Sequence, residues 1–215
     1  MVLVLIIISG CKDQKSLQQS DKNICSGEYF YLVKDEYGKL NSEGNVLLHL
    51  STEDSVLIQP EKVCSLQLYP TWKKKEFPYE VLAFSNLEYL WVAMRDFKVL
   101  PNEIIQLKQL KYLDLQNSGV TTLSENIGEL KNLEELILLF SDIETLPISI
   151  CELSNLKRIH LGGTKIKTLP SCLKKLTNLE EFILFYENES EFSPELKLEL
   201  DELQKHLKNC WFALN

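Results

Sequence analysis

The sequence predicts an α/β solenoid, with short parallel strands on its concave face, turns or short helices on its convex face, and a cap at each end. Three observations predict it. Apolar residues recur with a period of 23 from Asn86 to Thr177 without a gap. Inside each period the apolar residues alternate with others, as on a strand with one buried face. Each period then carries a second apolar block that opens on Leu-Pro or Leu-Ser, a step suited to a turn or helix start.

Set in rows of 23, Leu87, Leu110, Leu133, Leu156 and Leu179 share one column. Leu90, Leu113, Leu136, Ile159 and Phe182 share the next, and Val92, Leu115, Leu138, Leu161 and Leu184 a third. Leu100-Pro101, Leu123-Ser124, Leu146-Pro147 and Leu169-Pro170 are each followed three residues later by Ile104, Ile127, Ile150 or Leu173. A single short strand cannot bury its leucines, so neighbouring rows must stack and share a core. This LxxLxL pattern at a fixed period resembles the leucine-rich repeat family. The resemblance implies strands lying side by side, a return path on the outer side, and function carried by the inner face. The family places Asn or Cys three residues after the third leucine. Here that column reads Thr71, Arg95, Ser118, Ser141, Thr164 and Glu187. The hydroxyls among them are expected to bond local backbone groups, and Arg95 and Glu187 are not.

The flanks are read from composition and local signals. Residues 1–10 are a short apolar run ending in Ser9-Gly10, followed by Cys11. This resembles the lipobox of bacterial lipoproteins, which implies cleavage after Gly10 and lipid on Cys11. The run is too short to cross a bilayer, which needs about 20 helical residues. Lys12 follows the cysteine, without the aspartate that often retains such proteins at the inner membrane. The expected location is therefore the bacterial cell envelope, lipid-anchored, at the outer membrane. Residues 11–23 are polar and read as a flexible tether. Residues 24–62 read as an N-terminal cap: EYFYLV and VLLHL look like two strands with a Gly-rich turn between them. The repeats run over 63–192 and begin with an irregular row at Val63. Residues 193–215 read as a cap helix and strand, with Ser193-Pro194 as a helix start and Leu196, Leu200, Leu203 and Leu207 as its apolar stripe.

An exported chain permits disulfides. Cys25 with Cys64 is the expected bridge. Cys151 and Cys172 lie on the outer side of adjacent rows but two positions out of register, and form the weaker pair.

The net charge of −8 and a pI near 5.1 exclude nucleic acid as a partner, because phosphate binding needs a basic patch. No catalytic or nucleotide-binding motif occurs, and no cofactor or metal is expected. Asp114 and His160 share a column but lie two strands apart, roughly 10 Å, too far for a catalytic hydrogen bond. The informative residues face the inner side between the leucines. Tyr69, Tyr89, Trp91, Tyr112, Ile137, Leu139, Phe140, Phe185 and Tyr186 are expected to form a protein-binding face, with Asp114, Glu135, Arg158 and Glu181 setting specificity. The chain is expected to act as a monomer that holds a protein partner there. The alternative is a glycan-binding envelope lipoprotein, with Tyr112, Asp114, Gln116 and Asn117 meeting a sugar.

Overall fold

The computed structural model describes residues 28–32, 46–49, 55–58, 63–68, 77, 79–92, 97–186 and 192–214. Ten strands are present among them: β1 Glu28–Leu32, β2 Val46–His49, β3 Ser55–Ile58, β4 Val63–Leu68, β5 Tyr89–Trp91, β6 Tyr112–Asp114, β7 Glu135–Ile137, β8 Arg158–His160, β9 Glu181–Leu184 and β10 Trp211–Leu214. Eight of them form one parallel sheet, in the order β1-β4-β5-β6-β7-β8-β9-β10. The sheet holds the register that the period demands. Leu66, Leu90, Leu113, Leu136, Ile159, Phe182 and Phe212 are consecutive cross-strand partners.

After each of β4 to β8 the chain returns through a 3-10 turn: Tyr79–Ala83, Asn102–Gln106, Ile127–Glu129, Ile148–Glu152 and Ser171–Lys175. Pro101, Pro147 and Pro170 stand immediately before three of these turns, where a missing N–H breaks no ladder bond. Each turn drops one apolar side chain inward. Ile104, Ile127, Ile150 and Leu173 are all buried and meet the strand leucines in one continuous core that reaches from Val63 to Leu207. Truncating a central member such as Leu113 to Ala would cost about 3–5 kcal/mol, since it would leave a cavity the stack cannot close.

Neighbouring coils are also tied by side chains. The Asn132 carboxamide donates to the Lys108 carbonyl, Asn155 to Lys131 and Asn178 to Ser154, each at 2.8 Å. These bonds satisfy carbonyls left over where a turn ends. The hydroxyl column after the strands is buried. Ser141 Oγ donates to the Leu138 carbonyl at 2.7 Å and Thr164 Oγ1 to the Leu161 carbonyl at 2.6 Å. Ser118 Oγ is buried without a partner. Thr71, Arg95 and Glu187 lie outside the described residues.

At the N-terminal end, the two apolar runs expected on either side of a turn do not pair with each other. β1 instead lies parallel beside β4, and β2 pairs antiparallel with β3. The edge of β4 would otherwise present a row of open N–H and C=O groups, and β1 covers it. At the other end α1, Pro194–His206, is capped by Ser193, whose Oγ accepts from the Leu196 N–H at 3.1 Å. Leu196, Leu200, Leu203 and Leu207 are buried against the last coil. β10 then returns the chain to the sheet, and the Phe212 ring packs on Phe182 at 5.4 Å.

Cys151 and Cys172 are joined by a disulfide, with Cα atoms 5.8 Å apart. The offset that made this the weaker expectation is what allows it. In two stacked parallel turns, residues in the same register point the same way and cannot meet. A side chain facing forward meets one facing back, which lies about half a turn away, one to two residues in a 3-10 helix. Gly128 faces Ser149 in the preceding pair of coils with the same spacing. Cys64 is disulfide-bonded as well, and its expected partner Cys25 lies outside the described residues. Cys210 is free, and burial pushes its thiol up to about 11.

Candidate binding face

Alternation along the strands sends every second side chain away from the core, and register lines these up across the sheet. One line reads Tyr89, Tyr112, Glu135, Arg158, Glu181 and Trp211; the next reads Trp91, Asp114, Ile137, His160, Ile183 and Ala213. Three regions of different chemistry result.

The first is aromatic with a buried acid. The Tyr89 and Tyr112 rings stack at 6.0 Å, with their planes 30° apart. Asp114 is only 5% exposed although it sits on the outward face. Its carboxylate accepts from the Tyr112 hydroxyl at 3.0 Å, from the Gln116 backbone N–H at 2.8 Å, and from the Trp91 side chain. Loss of water around the carboxylate raises its pKa, and these hydrogen bonds oppose the rise. Burial likewise pushes the Tyr112 and Tyr89 hydroxyls up, with Asp114 adding to the effect at Tyr112.

The second region is ionic. Arg158 reaches Glu135 on one side and Glu181 on the other, the latter at 3.5 Å. His160 Nε2 lies 3.4 Å from Glu181 and is buried without an aligned hydrogen bond. One position earlier, Lys111 pairs with Glu88 at 2.8 Å and Lys157 with Glu134 at 2.6 Å. Such part-exposed pairs are screened by water and fix register more than they stabilise.

The third region is the rim where the strands end. Phe140 is 48% exposed and its backbone lies in the left-handed region, at φ 54°. In neighbouring rows the same position holds Asn117 at φ 51° and Gly163 at φ 68°, residue types that tolerate it. A phenylalanine there is strained by about 1–2 kcal/mol. The Phe140 and Phe185 rings meet edge-on at 5.9 Å over Gly162 and Gly163. A Cβ at Gly163 would lie 2.4 Å from the Phe140 ring, and one at Gly162 would lie 2.0 Å from Phe185, so the two glycines make the floor on which the rings lie. Tyr186 packs against Phe192 at 4.9 Å.

The structure thus brings Tyr89, Trp91, Tyr112 and Asp114 into one cluster, Glu135, Arg158 and Glu181 into a second, and Phe140 with Phe185 into a third. Leu139, Phe185 and Tyr186 are partly exposed. Ile137, 6% exposed, and Asp114 form floor rather than contact surface; they are neighbours in register, with Trp91 on one side of the pair and His160 on the other. Tyr69 and Cys11 lie outside the described residues. Sequence reasoning missed Trp211, which stands beside Glu181 on the same face and is 60% exposed. Its signal was the alternation in WFAL, but the helix before it broke the count of 23. Among the described residues no group of three or more His, Cys, Asp or Glu side chains could hold a metal ion, and no helix is long and apolar enough to cross a membrane.

A family model described as leucine-rich repeat region matches residues 102–211. Among solved structures, the chain is similar to a leucine-rich repeat protein of Leptospira interrogans, with 34% identity and a TM-score of 0.62 over 71% of this chain and 37% of that one. It is similar to the plant peptide hormone receptor RGFR1 in complex with RGF2, with 25% identity and a TM-score of 0.53 over 82% of this chain and 28% of that one. It shares its fold with TLR13, from a complex with ssRNA13, at 23% identity and a TM-score of 0.53 over 61% of this chain and 18% of that one. The chain therefore spans less than two fifths of each of these. No curated protein matches it. With the sheet, the 23-residue register and a family match over half of its length, the chain belongs to the leucine-rich repeat family.

Proposed function

We propose that this chain is a membrane-anchored module that holds a protein partner against the open face of its sheet. One observation carries the reading. Phe140 keeps a large exposed ring at a backbone position that strains it, where the rows on either side use Asn117 and Gly163. Strain of this kind is retained where the side chain has work to do. The same face adds Trp91, Tyr89 and Trp211, and aromatic residues of this type dominate protein interfaces. Support also comes from RGFR1, a plant peptide hormone receptor of similar fold whose structure is a complex with RGF2. The buried Asp114 carboxylate already accepts three hydrogen bonds, which leaves little capacity for sugar hydroxyls and favours protein over glycan. The run before Cys11 supports a lipid anchor on that cysteine, and Lys12 in place of aspartate after it supports residence at the bacterial outer membrane.

The test is crosslinking on intact cells, followed by identification of the captured molecule. Phe140→Ser together with Trp91→Gln is expected to reduce capture by about 30-fold or more, with the melting temperature of the purified variant reported beside it. Undiminished capture by a folded variant would reject the face, and capture of polysaccharide instead of protein would install the glycan reading. For the anchor, Cys11→Ala is expected to abolish labelling by a palmitate analogue and to move the chain from the membrane to the soluble fraction; unchanged labelling would remove the anchor.

A further inference from the structure

We propose that the cluster of Tyr89, Trp91, Tyr112 and Asp114 is a receptor for a cationic side chain, an arginine or a lysine, of the protein partner; this rests on the protein-binding reading above. The other partly buried acids of the face are matched within the chain. Glu88 has Lys111, Glu134 has Lys157, and Glu135 and Glu181 share Arg158. Asp114 is more buried than any of them, and among the described residues it has no cationic partner. Its three hydrogen bonds come from neutral donors. Two of those donors belong to aromatic rings. A phenol or indole that donates to a carboxylate becomes richer in π-electrons, so the charge of Asp114 is expressed on the faces of Tyr112 and Trp91. A cation placed over such a face is attracted most strongly where water is excluded. Tyr89 extends the platform by stacking on Tyr112, and the residue in register on its other side is the small Ser65. The chain's net charge of −8 draws a basic segment to the cluster.

The experiment titrates the full chain with a capped hexa-arginine peptide, and in parallel with hexa-glutamate and maltohexaose, following ring resonances by NMR and affinity by calorimetry. Wild type and Ile148→Ser, a change at an exposed residue on the turn side, are expected to bind hexa-arginine alike. Tyr89→Leu and Asp114→Asn, each checked for a wild-type fold, are expected to weaken it by about tenfold, and the two control ligands to leave the Tyr89, Trp91 and Tyr112 rings unmoved. Equal hexa-arginine affinity in all four proteins would mean diffuse attraction and overturn the assignment. So would shifts of these rings by maltohexaose. If hexa-arginine fails while crosslinked capture of a protein still depends on Phe140, the receptor falls and the binding face stands; if capture does not depend on Phe140, the face falls too.

Discussion

Gly128→Ala tests the stacking of the turns most directly. An alanine in a helical position is normally favoured over glycine by about 1 kcal/mol. Gly128 lies in the turn Ile127–Glu129 with no positive φ to protect, so local propensity predicts a gain. The neighbouring coil reverses the sign. A Cβ on residue 128 would lie 2.2 Å from the Ser149 carbonyl oxygen and 2.9 Å from the Glu152 Cβ. Ordinary contact begins about 1 Å farther out. The obstruction is backbone and cannot rotate away, so the two coils must part over the buried Ile127 and Ile150 between them. Overpacking of this kind costs about 1–3 kcal/mol. We expect a net loss of about 1 kcal/mol, read as a lower urea midpoint by far-UV circular dichroism with the slope unchanged. Gly162→Ala is the control. Its obstruction is the Phe185 ring, which can swing outward, so its loss should be smaller. A Gly128→Ala midpoint at or above wild type would refute the stacking distance and the reasoning built on it.

Replacing both Cys151 and Cys172 with serine opens a loop of 21 residues' separation and should cost about 3 kcal/mol; oxidised wild type and the double variant melting together in urea would contradict this. Ser193→Ala removes the cap bond to the Leu196 N–H and should lower stability by about 1 kcal/mol, measured the same way. Lys165 and Lys98 beside Asp142 hold its carboxyl below the usual aspartate value. A depressed folded pKa gives stability that is present above the unfolded value of about 3.9 and is lost as pH falls through the folded one. Asp142→Asn should therefore flatten the acid limb of the stability profile, and a profile superimposable on wild type below pH ~4 would exclude the pairing.

The core and the sheet register were legible because each leucine column is a direct consequence of stacking, repeated often enough to be counted. The end regions were harder. β1 and β10 join the same sheet from outside the period, and their register follows from which edge needs covering rather than from any spacing in the chain. Contacts between turns were misjudged for a geometric reason: neighbouring rows touch through positions 21 apart, as at Cys151 and Cys172, while strand partners are 23 apart. On the binding face, residue type and direction could be read, but depth could not. Asp114 and Ile137 point outward in sequence terms and are nevertheless buried, because burial there depends on how far neighbouring side chains reach, such as the Trp91 and Tyr112 rings that donate to Asp114. The strain at Phe140 had no separate signal beyond a bulky residue standing in a column with Asn117 and Gly163.

The asparagine ties have an evolutionary consequence. Asn132, Asn155 and Asn178 each fasten a coil only to the one before it, so no coil is bound to a distant one through them. Duplication or excision of a whole 23-residue unit then leaves asparagine ties of the same kind between the coils it joins. Such a molecule can lengthen or shorten its grip in steps of one strand width, about 4.8 Å, and so be fitted to partners of different size without inventing a new fold.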